Sequence, residues 1–358
     1  LPEPEPVPEV EQVAVPEVIV KKAPPKLDLS GFSQPIKKHL PLTVGASLIV
    51  LALVYPLVAL AVSGYSGYHH LTNAYQSLEK GEFSKAGWEI GQSRQAVESI
   101  KERLSSQLIF KLASSVWPDF NQVNQMTQVL AGAVEGSAQA VNGSEGLVLG
   151  LQTVSGEEGG DSGKFFSTAQ RELTEAINRI GFVQASIGQW GIAKYWSESL
   201  TTYQQLLVFG QNLSMVLPAL IPKDQLVSYL VVAQDQSVLR PMGGEIKAVA
   251  QLTFDQGRIK EIKGFTASEL NRRITERVLP PVEFRTSLGS EGWRFEDANL
   301  ELGLADSAGT IRSFFESEVG EKIDGVVLVN LSTLRELVES MGAVQSSEGL
   351  INGSNLAE

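Results

Sequence analysis

The chain has 358 residues, enough for about two domains at roughly 150 residues each, and its 43% hydrophobic and 20% charged residues are those of a globular protein. A formal net charge of −12 argues against nucleic-acid binding, which needs a basic face for phosphate contacts. The absence of cysteine excludes disulfides, thiolate nucleophiles and Cys-ligated metals, and the three histidines, His39, His69 and His70, all flank one apolar segment, so no Ser-His-Asp triad or His-rich metal site lies in the rest of the chain.

Residues 1 to 39 hold eight of the sixteen prolines, in runs such as Pro2-Glu-Pro-Glu-Pro-Val-Pro8. Such a segment cannot bury enough apolar area to offset its ordering entropy, which predicts a disordered arm. From Leu40 to Tyr68 there is no charged side chain for 29 residues, whereas a membrane span needs roughly 20. Pro56 is tolerated in a membrane helix, and Tyr65 and Tyr68 suit an interfacial aromatic belt. About 40 residues precede the apolar run, which sets it apart from a cleaved signal peptide. Lys21, Lys22, Lys26, Lys37 and Lys38 stand before it, and no Lys or Arg follows until Lys80. The positive-inside rule then predicts a cytoplasmic N-terminus in the cell membrane, with the bulk of the chain extracytoplasmic.

Residues 69 to 222 read as helices. Leu71, Tyr75 and Leu78 share a face, Gly81 interrupts, and Phe83, Ala86, Ile90 and Ala96 begin an amphipathic stretch reaching about Leu112. Pro118 is expected to start a helix through Val123, Met126 and Leu130. After the linker Ser155–Gly163, Phe166, Ala169, Leu173, Ala176 and Ile180 recur at spacings of three and four, the pattern of a helix buried on one side. Apolar helix continues through Tyr195, Leu200 and Leu207 until Pro218 and Pro222 stop it.

The character changes near Gln225. Tyr229-Leu-Val-Val-Ala233 reads as a buried strand, and Ile246, Ala248, Ala250, Leu252 and Phe254 alternate as in a half-buried strand. Asp255-Gln-Gly257 signals a hairpin turn before Ile259 and Ile262. Asp306 is expected to cap a helix through Phe314 and Phe315, Gly325–Val329 is a short buried strand, and Ser332 caps a helix ending at Gly342. Residues 225–358 are thus a mixed α/β domain. The chain opens at Leu1 without an initiator Met and stops in Asn352–Glu358, which suits a fragment truncated at both ends.

Gly159–Lys164 lacks the first glycine, the Ser or Thr and the preceding strand of a phosphate loop, and reads as a flexible linker. Arg240-Pro-Met-Gly-Gly244 directly follows the first strand. There Gly243 and Gly244 would let backbone amides approach an anion beside Arg240, although a tight strand-to-strand loop explains the same residues. Trp293-Arg-Phe-Glu-Asp-Ala-Asn299 offers Asp297 and Asn299 as oxygen ligands and Trp293 as a stacking face for a sugar, or else forms a structural loop pinned by Trp293.

Tyr229–Asp235, Leu239–Gly244, the Phe254–Ile259 turn, Trp293–Asn299, Asp324–Asn330 and Met341–Val344 occur here in an ordered series. Together they resemble the bacterial envelope family known as domain of unknown function 4012, over about residues 225 to 358. Members similar to this chain carry an N-terminal membrane helix and a helical region. The closing segment is also similar to the LytR-CpsA-Psr family, whose members transfer anionic glycopolymers from polyprenyl-pyrophosphate carriers to the cell wall. That resemblance implies that Arg240 holds a phosphate and that Asp297 binds a metal, Mg2+, or activates an acceptor. Glu296 and Leu300 stand where that family places Arg and Trp, and residues 225–358 carry 13 Lys+Arg against 20 Asp+Glu, a net of −7.

The expected fold is therefore a transmembrane helix, an extracytoplasmic all-helical region, and a mixed α/β domain resembling the LytR-CpsA-Psr fold. Two functional expectations follow. The favoured one is a noncatalytic envelope protein whose helical region is a stalk or self-associating assembly surface and whose α/β domain binds an envelope polymer or polyprenyl-linked glycan. The alternative is a phosphotransferase that moves such a glycopolymer to the cell wall or surface, with Arg240 and Asp297 catalytic.

Overall fold

The computed structural model describes residues 34–107, 110–111, 120–188, 193–274, 278–288, 292–346 and 349–356. Most of the Pro-rich arm, the expected helix end at Leu112 and the expected start at Pro118 lie outside these residues.

One helix, α1 (Gln34–Glu79), runs through the uncharged stretch. Leu51, Tyr55, Val58 and Val62 are each more than half exposed, so the helix turns large apolar side chains outward where a water-soluble helix would keep a polar face. Among the described residues this helix is long and apolar enough to cross a membrane. Gly81, with φ 72°, ends it in a left-handed turn in which the Glu82 amide donates to Ser77 O at 2.8 Å.

The helical region continues with α2 (Phe83–Ser106), α3 (Phe120–Ser155), α4 (Ser162–Gly188) and α5 (Ala193–Leu220). Leu71, Ala74 and Leu78 of α1 pack with Ala86, Ile90 and Val97 of α2 and Val134 and Val141 of α3. A buried Ser93 Oγ donates to Gly67 O at 2.8 Å and fixes the α1–α2 register. On α4 the predicted stripe is the buried one: Phe166, Ala169, Leu173, Ala176 and Ile180 are all at most 2% exposed. What the periodicity leaves out is why α3 can lie so close. A Cβ on Gly143 would sit 2.6 Å from Leu173 Cγ, and one on Gly150 would sit 2.5 Å from Phe166 Cε1, so these glycines open the space into which the large α4 side chains fit. Pro218 does not stop α5 but lies inside its last turn.

The second part of the chain forms a four-stranded mixed sheet, from β1 (Val227–Asp235), β2 (Glu245–Asp255), β3 (Arg258–Thr266) and β4 (Gly325–Asn330), in the order β3-β2-β1-β4. β1 and β4 are parallel and the other pairs antiparallel. Short helices α6 (Ala267–Arg273) and α7 (Arg285–Leu288), then α8 (Leu304–Val319), lead to β4. α9 (Leu331–Met341) and a small hairpin, β5 (Val344–Ser346) with β6 (Gly349–Ile351), close the described chain. The β2–β3 turn has φ 53° at Gln256 and 75° at Gly257, the two-residue turn that matches strand twist.

Four expectations are corrected here. The alternation read along β2 breaks at Lys247: Ala233 pairs with Ala248 but Gln234 pairs with Ile246, so Lys247 is a bulge residue. The bulge reverses the phase, and Ile246 and Val249 share one core while Leu252 and Phe254 face another. Asp306 lies in the first turn of α8, whose N-cap is Gly303, and Ser332 lies inside α9, whose N-cap is Asn330; Ser332 Oγ bonds Gln236 Oε1 at 2.9 Å instead. The Ser155–Gly163 linker is pinned, not free: Asp161 accepts from Lys223 Nζ at 2.9 Å, Gly160 O from Arg258 Nη2 at 3.2 Å, and Ser162 Oγ donates to Gly257 O at 3.4 Å. The Lys223 ammonium holds the Asp161 carboxyl below the usual range. Beside these bonds, Val154 and Phe166 of the helices pack with Val227 and Phe254 of the sheet.

Truncating Leu173 to Ala should lower the unfolding free energy by ~2–5 kcal/mol, read by denaturant titration of the full chain. Gly143→Val should lower it by about 1–3 kcal/mol through overpacking. A neutral result for both would mean that α3 and α4 do not form a packed core.

Candidate functional site

β1 and β4 run parallel and end side by side, Gln234 opposite Asn330. In α/β sheets the space beyond such strand ends is where ligands commonly bind. The loop 236–244 folds over it. Gly243 (φ 110°) and Gly244 (φ 138°) adopt conformations that L side chains rarely reach. A Cβ on Gly243 would lie 3.2 Å from Gln234 Oε1 and 3.3 Å from Asn330 Oδ1, and one on Gly244 would collide with the Asp235 carbonyl. The two glycines thus let the loop turn back tightly enough for Glu245 to pair with Asp235 at the start of β2.

Arg240 and Asp297, 57 positions apart, meet directly. Arg240 Nε donates to Asp297 Oδ1 at 2.7 Å and Nη2 lies 2.7 Å from the same oxygen, while Nη1 donates to Leu239 O at 2.9 Å. Glu245 Oε1 is 3.7 Å from Nη2. Asp297 is 6% exposed. Burial pushes its carboxyl above the usual carboxylate range, against the opposing pull of the Arg240 guanidinium, with Glu296 and Glu245 adding to the rise. Lys247, exposed on the bulge, is drawn to Glu245.

The segment around Asp297 is held by its own packing. Residues Phe295–Asp297 form one 3-10 turn. Trp293 Nε1 donates to Asp297 O at 2.8 Å, and its ring meets Phe314 of α8 edge-on at 5.5 Å, so the ring on which sugar stacking was expected is tied to the α8 packing. Glu296 accepts from Asn271 Nδ2 at 2.6 Å and from Arg294 Nη1 at 3.0 Å, and Asn271 Oδ1 accepts from the Phe295 amide at 2.7 Å. Glu296 therefore fastens this segment to α6. Asn299 is fully buried, its Nδ2 donating to Gly244 O at 2.6 Å.

The structure thus brings Arg240, Gly243, Gly244, Asp297 and Asn299 to one end of the sheet, with Trp293 behind them. It adds Gln234 and Asn330, which the motif reading passed over. Gln234 continues the core-facing phase of Leu230 and Val232, and a polar residue in that phase is the signal that would have found it. Gln234 Nε2 and Asn299 Oδ1 are buried without a hydrogen-bond partner among the described residues. Among the described residues no three His, Asp or Glu side chains converge as a metal cluster, and two guanidinium donors already occupy Asp297 Oδ1.

No curated protein and no solved structure matches the chain. Residues 224–358, the segment just described, match the model of the family described as protein of unknown function DUF4012.

Proposed function

We propose that the chain is a single-pass membrane protein of the bacterial cell envelope, with its arm in the cytoplasm and residues 69 onward outside. The helical region is a stalk or self-associating assembly surface, and the α/β domain is a noncatalytic binding module for an envelope polymer or polyprenyl-linked glycan. The noncatalytic reading is supported by the closed Arg240–Asp297 pair. A guanidinium with Nε and Nη2 on one buried carboxylate and Nη1 on a backbone carbonyl offers little to a phosphate. The membrane reading is supported by the outward apolar side chains of α1 and by the five lysines that precede the uncharged stretch from Leu40 to Tyr68, after which no Lys or Arg occurs until Lys80.

Protease added to intact spheroplasts should remove residues 69 onward and spare the arm. Digestion of the arm with survival of the α/β domain would reverse the orientation.

The transferase alternative draws on the unpartnered Gln234 Nε2 and Asn299 Oδ1 beyond the strand ends, and one variant separates the two readings. If Arg240 is a structural partner, Arg240→Ala leaves a buried carboxylate uncompensated and lowers stability by about 3–5 kcal/mol. The loss should depend on pH. A carboxyl whose native pKa is raised keeps a proton that the unfolded chain releases, so it costs stability as pH rises above the ordinary carboxylate value. Removing Arg240 deletes the opposing pull, and the destabilisation should be greatest near neutrality and shrink as Asp297 takes up its proton. If Arg240 is a phosphate clamp, the same variant keeps its melting temperature at every pH and loses binding of a polyprenyl-pyrophosphate analogue.

A further inference from the structure

α5 carries two rows of side chains at alternating steps of three and four. The inner row, Leu207, Gly210, Ser214 and Leu217, is the one the bundle uses. Leu207 packs with Leu173, Ala176 and Ile180 of α4, a Cβ on Gly210 would lie 3.3 Å from Leu173 Cδ1, Ser214 is buried, and Leu217 packs with Val154 and Phe166. One position earlier at each step stands a second row, Leu206, Phe209, Leu213, Val216 and Leu220. Leu206 and Phe209 are more than half exposed, and Val216 and Leu220 a little under half. Single exposed apolar residues are ordinary on a protein surface. A row that repeats every 3.5 residues along about 20 Å of helix is instead the seam that a second helix fills with its own side chains.

Charge selects which helix. From Ser199 to Pro222 there is no charged side chain for 24 residues, so the positions beside the row, Gln205, Asn212 and Ala219, hold none of the charges by which a coiled coil accepts or rejects a partner. Nothing beside the row opposes an identical one. The chain as a whole stands at −12, so two copies that approach through charged faces repel each other, and an uncharged apolar face is where they meet with least repulsion. Elsewhere on α2, α3 and α4 the large exposed apolar side chains among the described residues are Trp88, Met126, Val148, Leu151 and Phe182, too few on any one helix to match five positions. The α5 row is therefore its own best complement. We infer that two copies of this chain pair through α5, row on row, about a two-fold axis. The inference rests on the self-associating reading of the helical region proposed above and gives it a surface. Two heptads are short for a coiled coil, but α4 already holds this helix in place, so pairing carries no cost of forming it.

The full chain in detergent micelles tests this, and its lack of cysteine makes single-cysteine variants unambiguous. Leu213→Cys, at the centre of the row, is expected to give a disulfide-linked dimer on mild oxidation, whereas Lys101→Cys, exposed on α2, is not. Leu206→Cys and Leu220→Cys set the direction: each links to itself in a parallel pair, and the two link to each other when mixed in an antiparallel one. Phe209→Glu combined with Val216→Glu places like charges on both sides of the joined rows. Light scattering should then show the dimer half-dissociated at a concentration about tenfold higher or more, while circular dichroism shows the helix content unchanged because both positions are exposed. A chain that is monomeric at every concentration and forms no crosslink along the row overturns the inference together with the self-associating reading, and leaves the helical region a stalk. A dimer untouched by the double variant, or linked as readily through Lys101→Cys as through the row, overturns the inference alone, because the copies then meet elsewhere.

Discussion

A carboxylate removed from water must be compensated, and in the α/β domain the buried Asp297 is the group whose compensation organises its surroundings. Arg240 reaches it only because the loop after β1 folds back over the strand ends, and that fold depends on Gly243 and Gly244 in conformations closed to other residues. The opposite side of Asp297 is equally constrained. Its carbonyl takes the Trp293 indole, whose ring sits on Phe314 of α8, and the neighbouring Glu296 ties the segment to Asn271 of α6. One ion pair therefore joins the β1–β2 loop, the 293–299 segment and two helices. A group in that position has strong structural reasons to stay as it is, whatever the loop's resemblance to a phosphate cradle.

The bulge at Lys247 solves a second problem. A sheet with helices on one face and another packed layer on the other needs apolar residues in both phases of its strands. β1 achieves this with Leu230 and Val232 toward α6 and α8, and Val227 and Tyr229 toward α3 and α4. In β2 the extra residue shifts phase so that Ile246 and Val249 both reach the first core and Leu252 and Phe254 reach the second. Tyr229 completes the join, its hydroxyl donating to Leu220 O at 2.7 Å at the end of α5. The helical region and the sheet consequently share a core at the pinned loop between α3 and α4.

What could be read in the sequence follows from which interactions are local. The α4 stripe from Phe166 to Ile180 and the hairpin around Gln256-Gly257 were legible, because helical and strand periods and turn residues act over a few positions. That Arg240 and Asp297 lie at the same end of one domain was also legible from the loops that carry them. Whether the two would bond each other or a ligand was not, since that depends on distances of a few tenths of an ångström across 57 residues. The β2 bulge was hidden because Ile246-Lys-Ala-Val-Ala250 reads as alternation in either phase. Gln234 was overlooked because it follows an apolar run and looks like the strand's polar end, whereas its side chain is 1% exposed.

The glycine-rich sequence of α3 was the least legible part, since glycine lowers helix propensity and suggests interruption, yet Phe120–Ser155 is one helix. Small residues there act differently on two faces. Toward α4, Gly143 and Gly150 receive Leu173 and Phe166, so each missing side chain is filled by a neighbour's. Toward α1 and α5, Ala133 and Ser137 line a partly open cavity together with Tyr75 and Tyr203, whose rings meet edge-on. The same residue sizes thus produce close packing where Leu173 and Phe166 project into the space, and a partly open cavity where Tyr75 and Tyr203 pack on each other. The fit at Gly143 and Gly150 is the close packing of an interior, and the partly open cavity on the other face is a break in it.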